Sequence, residues 1–156
     1  MDRVTDKELA GWRSFIKAYA QIIERIERDL AEHNRVPLTT YDMLIALFEA
    51  PDHKLRLGDL TKKMVLTKSG LTRLADRLEK EGLIVREKSE NDRRGAYAVL
   101  TDDGEAQLRK AWPIYARGIK QYFASPLTDV QIAHITAAFE TIQTEMRKSS
   151  GGPKKE

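Results

Sequence analysis

Between Lys62 and Arg94 the chain carries the side-chain types needed to hold a polyanion. Ten Lys or Arg stand against six Asp or Glu there, and the excess peaks at Arg93-Arg94. Clustered cations matter because each neutralised phosphate releases condensed counterions, a gain that scattered charges do not deliver. Lys68, Ser69, Thr72, Arg73 and Arg77 recur at spacings that place them along one side of a helix, opposite Leu71, Leu74, Ala75 and Leu78. A helix fits the DNA major groove, where arginine forks onto guanine and a hydroxyl serves either base type. Ser69, Thr72 and Arg73 therefore suit base edges, and Lys68 and Arg77 suit phosphates. Asn91-Asp92-Arg93-Arg94-Gly95 is a polar turn with two guanidinium groups, able to reach a neighbouring minor groove where narrow A·T tracts concentrate negative potential. Arg94 is placed to insert and Arg93 adds a second cation. Asp92 would be repelled by phosphates and makes sense as the partner that fixes the Arg94 fork.

The elements that must position these groups can be read from periodicity. Thr5 to Glu8 is a capping-box pattern, followed by Trp12, Phe15, Ile16, Tyr19, Ile22, Ile23, Ile26 and Leu30, which predicts one long amphipathic helix ending near His33. Thr39 and Asp42 read as a second capping box opening a short buried helix that Pro51 closes. Asp52-His53-Lys54 reads as a loop, Gly58 to Met64 as a short helix, and Val65-Leu66-Thr67 as a tight connection whose threonine can cap the helix running to Gly82. Two short helices joined this way, the second amphipathic and basic, form a helix-turn-helix. Leu83–Lys88 and Ala96–Leu100 are enriched in β-formers, predicting a hairpin with a charged tip, a wing. Thr101 caps a further helix containing Leu108, Trp112, Tyr115, Tyr122 and Phe123, which Pro113 should kink or break. Thr128 opens the last helix, with Ile132, Ile135, Phe139, Ile142 and Met146 on a narrow seam.

The fold class expected is mainly α with a small β-hairpin wing: a winged helix-turn-helix lobe over residues 37–101, an N-terminal dimerisation helix over 1–36, C-terminal dimerisation helices over 102–148 and a disordered tail over 149–156. Several helices carry more apolar surface than a small domain can cover. The absence of cysteine excludes thiolate catalysis, sulfur-ligated metals and thiol redox switching. No apolar run approaches the roughly 20 residues needed to cross a bilayer, so a cytoplasmic protein is expected. His33, His53 and His134 have no second ligand at metal-binding spacing, and no phosphate-cradling glycine loop or nucleophile turn is present. We expect no metal, no cofactor and no enzymatic activity.

Leu57 to Thr101 resembles the DNA-binding lobe of the MarR family of bacterial regulators. The resemblance is carried by Gly58-Asp59-Leu60-Thr61, by Ser69-Gly70-Leu71-Thr72-Arg73-Leu74-Ala75-Asp76-Arg77-Leu78-Glu79, by Glu81-Gly82-Leu83-Ile84-Val85-Arg86, by Asp92-Arg93-Arg94-Gly95 and by Leu100-Thr101-Asp102-Asp103-Gly104. It implies a homodimer joined through the first and last two helices, binding a pseudo-palindromic double-stranded operator, and a repressor released by a small aromatic or anionic ligand. Trp12, Asp42 and Arg86 resemble the ligand set of the family's urate-responsive branch. The same three residues also have plain structural roles as interface core, helix cap and strand ion pair. Two other functions stay open, a winged-helix module that binds protein and a constitutive DNA-binding protein without effector. Steep salt dependence through Arg73, Arg77 and Arg94 separates the first of these from a DNA-binding regulator.

Overall fold

The computed structural model describes residues 3–64, 66, 68–90 and 95–150. The expected mostly helical architecture is present. Helix α1 (Asp6–Glu32) begins at a complete capping box in which the Thr5 hydroxyl accepts the Glu8 amide N–H and the Glu8 carboxylate accepts the Thr5 amide N–H. It ends where Asn34 turns left-handed (φ 53°), letting Arg35 N–H reach Leu30 C=O.

Helix α2 (Leu38–Glu49) corrects one sequence expectation. It starts one residue before Thr39, with Pro37 in the capping position, so no Thr39–Asp42 capping box forms. The orphan N–H of Leu38 is instead accepted by Glu27 Oε1 of α1 at 3.0 Å. A tertiary partner thus does what a local hydroxyl would do, leaving Asp42 without a capping role. A short strand β1 (Lys54–Arg56), read from sequence as loop and connection, follows a turn at Pro51–His53. Its three residues lack a visible alternation, and only pairing with β3 makes them a strand.

Helices α3 (Leu57–Lys63) and α4 (Lys68–Lys80) form the helix-turn-helix. Leu71, Leu74, Ala75 and Leu78 of α4 are buried together with Leu60 of α3, as their spacing demands. Each such leucine contributes about 1.5–3 kcal/mol by leaving water. The expected Thr67 cap lies outside the described residues. Strands β2 (Ile84–Lys88) and β3 (Ala96–Leu100) make the hairpin, and the sheet order is β1-β3-β2, antiparallel throughout. Ile84, Ala98 and Leu100 face the core, while Val85 on the opposite face is exposed.

Helix α5 (Asp102–Gly118) passes through Pro113 without ending, contrary to the break that was one of the two sequence expectations. Leu108 and Ala111 are buried ahead of the proline, so packing offsets the lost backbone hydrogen bond. The chain divides into two compact units, Met1–Gly118 and Ile119–Glu156. The second opens with a π turn at Ile119–Ala124 and continues, through a Thr128–Gln131 capping box, into α6 (Asp129–Ser150). No described helix is long and apolar enough to cross a membrane.

The first unit is tied together where α4, β2, β3 and α5 meet. Gly82 adopts φ 76°, with its N–H on Glu79 C=O and Leu83 N–H on Leu78 C=O, a Schellman ending for α4. The Thr101 hydroxyl donates to Gly82 C=O at 2.7 Å and accepts Gly104 N–H at 3.0 Å, which caps α5. A Cβ on Gly104 would lie 2.1 Å from the Leu83 carbonyl oxygen. The Leu83 backbone cannot yield as the nearby Leu100 side chain could, so Gly104→Ala should destabilise the protein by about 1–3 kcal/mol. Chemical denaturation of wild type and variant checks this, and a neutral result would mean that α5 and β2 can move apart at no cost.

Candidate nucleic-acid interface

The amphipathic helix α4 buries one face and exposes Lys68, Ser69, Thr72, Arg73, Asp76, Arg77, Glu79 and Lys80. Lys68, Ser69, Thr72 and Arg73 together line an open concavity on the surface, so four of the five residues chosen from spacing share one site. Thr72 Oγ1 donates to Lys68 C=O at 3.0 Å and Arg73 Nε to Ser69 C=O at 3.4 Å, which lays both side chains along their own helix.

Arg77 stands one turn on and has a different setting. Its Nη2 donates to Thr40 Oγ1 of α2 at 3.1 Å, and its Nε lies 3.8 Å from Glu81 Oε1. Thr40 is almost fully buried, so its hydroxyl needs a partner and Arg77 supplies one. Arg77 therefore braces α4 against α2, a contact that the sequence did not announce because the two residues lie 37 apart.

The acidic residues on α4 are also accounted for. Arg86 of β2 reaches Asp76 Oδ1 at 2.5 Å and Glu79 Oε2 at 3.6 Å. The strand arginine offsets two carboxylates that would repel a phosphate backbone, and it ties the base of the hairpin to the helix. The tip residues Asp92, Arg93 and Arg94 lie outside the described residues.

The three residues singled out as a ligand set occupy separate settings. Trp12 is 60% exposed on α1, in an aromatic run with Phe15 and Tyr19. Asp42 lies near Glu27 and Tyr115, where burial first and the Glu27 charge second hold its carboxyl above the usual range. Arg86 has the two carboxylates just described. A cavity of about 550 Å³ lies elsewhere, lined by Tyr41, Ile45, Phe48 and Glu49 of α2 and by Leu108, Arg109 and Trp112 of α5. Its aromatic wall is ordered: Tyr41 stacks on Trp112 at 6.5 Å between centroids and meets Tyr115 edge-on at 5.0 Å. Desolvation raises both tyrosine hydroxyls, with Asp42 among the lesser causes, and Arg109 lies 5.7 Å over Phe48 while donating to Glu105. Sequence reasoning missed this cavity, although the aromatic spacing on α5 hinted at it.

Comparison with known proteins follows the same line. The MarR family profile matches residues 36–95. The "Uncharacterized HTH-type transcriptional regulator YkoM" of Bacillus subtilis (strain 168) is 33% identical over 120 residues, 77% of this chain and 76% of that protein. Among solved structures, Sco3205, a MarR family transcriptional regulator from Streptomyces coelicolor in complex with DNA, is similar at TM-score 0.85 and 31% identity, over 92% of this chain and 89% of that one. AbsC, a MarR family transcriptional regulator from the same organism, is similar at TM-score 0.85 and 28% identity, over 95% and 99%.

Two outcomes follow from the geometry. Arg86→Ala should free Asp76 and Glu79, lowering thermal stability by about 1–2 kcal/mol and weakening duplex binding together; intact binding with lowered stability would confine Arg86 to a structural role. Because the Asp42 carboxyl sits above its unfolded value, its ionised form costs stability at neutral pH, and the cost disappears as pH falls below the ordinary carboxylate range. Asp42→Asn should therefore raise the melting temperature at neutral pH, with the two curves converging on acidification.

Proposed function

The chain belongs to the MarR family of DNA-binding transcriptional regulators, and from that premise we propose that it acts as a homodimeric repressor reading a pseudo-palindromic operator. The observation that carries the reading is the donor set Lys68, Ser69, Thr72 and Arg73 sharing one exposed surface of α4. In this reading Ser69, Thr72 and Arg73 meet base edges, Lys68 and Arg77 meet phosphates, and Arg93 and Arg94, the latter fixed by Asp92, serve the minor groove. Repression follows from occupancy: a protein covering both half-sites excludes other proteins from that duplex.

Dimerisation rests on apolar surface. Trp12, Phe15, Ile16 and Tyr19 form an exposed stripe at helical spacing on α1, and Phe139, Ile142 and Met146 form another on α6. Stripes of this kind ask for a partner. A second copy also supplies the two-fold symmetry that matches half-sites about 34 Å apart.

The effector belongs in the α2–α5 cavity. Its walls of Tyr41, Phe48 and Trp112 suit a flat ring, and Arg109 at its edge suits an anionic substituent.

The reading is tested by anisotropy titration of the protein's own upstream intergenic duplex at two salt concentrations, with light scattering for size. Tight, salt-sensitive binding by a dimer is expected, and Arg73→Ala should lose about 1–3 kcal/mol and relax selectivity at one base pair. Folded dimer that ignores the duplex at low salt would sink the proposal. For the effector, the chain has two tryptophans. A phenolic carboxylate should quench fluorescence in Trp12→Phe and leave Trp112→Phe unaffected, and the reverse pattern would return the site to Trp12.

A further inference from the structure

The outer face of the small sheet carries a cluster that no reading of the helix or the hairpin tip uses. In the antiparallel register Arg56 of β1 pairs with Tyr97 of β3, and Tyr97 pairs with Glu87 of β2, so the three share one rung and one face. Lys54 and Val85 lie on the neighbouring rung, and the exposure of Val85 marks this as the face away from the core. Arg56 Nε donates to the Tyr97 hydroxyl at 3.2 Å, the Arg56 guanidinium carbon lies 5.3 Å from the Tyr97 ring centroid, and Lys54 Nζ lies 5.4 Å from the same centroid.

We infer that Arg56 and Tyr97, with Lys54 behind them, form a phosphodiester-binding pair for the strand of DNA backbone that runs between the two grooves occupied by α4 and the hairpin. Three observations support this. Two cations converge on one tyrosine ring, an arrangement whose like-charge repulsion the ring face offsets in part and a phosphate would relieve further. The Tyr97 oxygen accepts from Arg56, so its own proton can be donated outward, while that bond sets the plane of the guanidinium fork. Position supplies the third. Arg56 leads directly into α3, the first helix of the helix-turn-helix, and Tyr97 stands two residues beyond Gly95, on the second rung from the tip end of the hairpin. A protein with one element in a major groove and another in the adjacent minor groove must straddle the backbone that divides them. Arg56 and Tyr97, paired across β1 and β3, join the start of α3 to the hairpin, and in this reading they take that intermediate place. Glu87 lies on the far side of Tyr97 in the same rung.

The inference rests on the duplex-binding reading above, and its test separates the two. Wild type, Arg56→Gln, Arg56→Lys and Tyr97→Phe are titrated against operator and unrelated duplex over a salt series, with thermal melts alongside. Arg56→Gln should weaken binding to both duplexes alike and reduce the slope of log K against log salt by about 0.9 for each subunit bound. Arg56→Lys should restore most of the slope, and Tyr97→Phe should weaken both duplexes by a smaller factor with its melt preserved. A weakened Arg56→Gln protein with an unchanged slope would overturn the inference and leave a structural brace. Wild-type binding that none of the variants alters would place this face away from the DNA, while absence of wild-type binding would instead remove the functional reading itself.

Discussion

The Leu83 carbonyl is the point on which the DNA-binding lobe hangs. It accepts Thr101 N–H at 3.2 Å and passes so close to Gly104 that no side chain fits between. One residue earlier, Gly82 takes the left-handed turn that ends α4 and offers its own carbonyl to the Thr101 hydroxyl. Four elements therefore converge on a few backbone atoms and one hydroxyl. The direction of α4 is set by how it ends, the hairpin by how β2 leaves that ending, and α5 by the cap that the same threonine provides. The end of α4 is thereby tied through Gly82 and Leu83 to the start of α5.

Preorganisation continues in the charges. Arg86 spends its guanidinium inside the lobe on Asp76 and Glu79, while the half-exposed Arg77 bonds Thr40, lies near Glu81 and still reaches the surface. The effect is to divide the exposed face of α4. Its C-terminal half is internally compensated, while its N-terminal half presents donors to the surface. Arg77 also links α4 to α2, and the residue following Thr40 in α2 is Tyr41, which lines the aromatic cavity. Through that adjacency the cavity wall is joined to α4 by one peptide link and one hydrogen bond.

Sequence periodicity made much of this legible. The apolar stripe of α4, the capping boxes at Thr5 and Thr128, the glycine stop at Gly82 and strand β3 are local features, each fixed by residues within a turn or two of one another. Spacing alone placed Lys68, Ser69, Thr72 and Arg73 on one surface. The expectations that changed were those in which tertiary burial or a distant group overrode a local signal. Thr39 lost its capping role to Pro37 and to the Glu27 carboxylate, and the break expected at Pro113 was overridden by buried neighbours on the same helix.

What the sequence determined by itself is thus the main helices and the hairpin, their polar and apolar faces, and the donor face of α4, because helix and hairpin periodicities are written in consecutive residues. What only the tertiary structure decided is which faces meet. Strand β1 exists through pairing with β3. Arg77 finds Thr40 across 37 positions, and Arg56 finds Tyr97 across 41. The α2–α5 cavity is walled by side chains from two helices that are distant in the chain. None of these carries a local signature, since a hydrogen bond or a cavity wall depends on distance in space, and the chain order constrains that distance only after the core has closed.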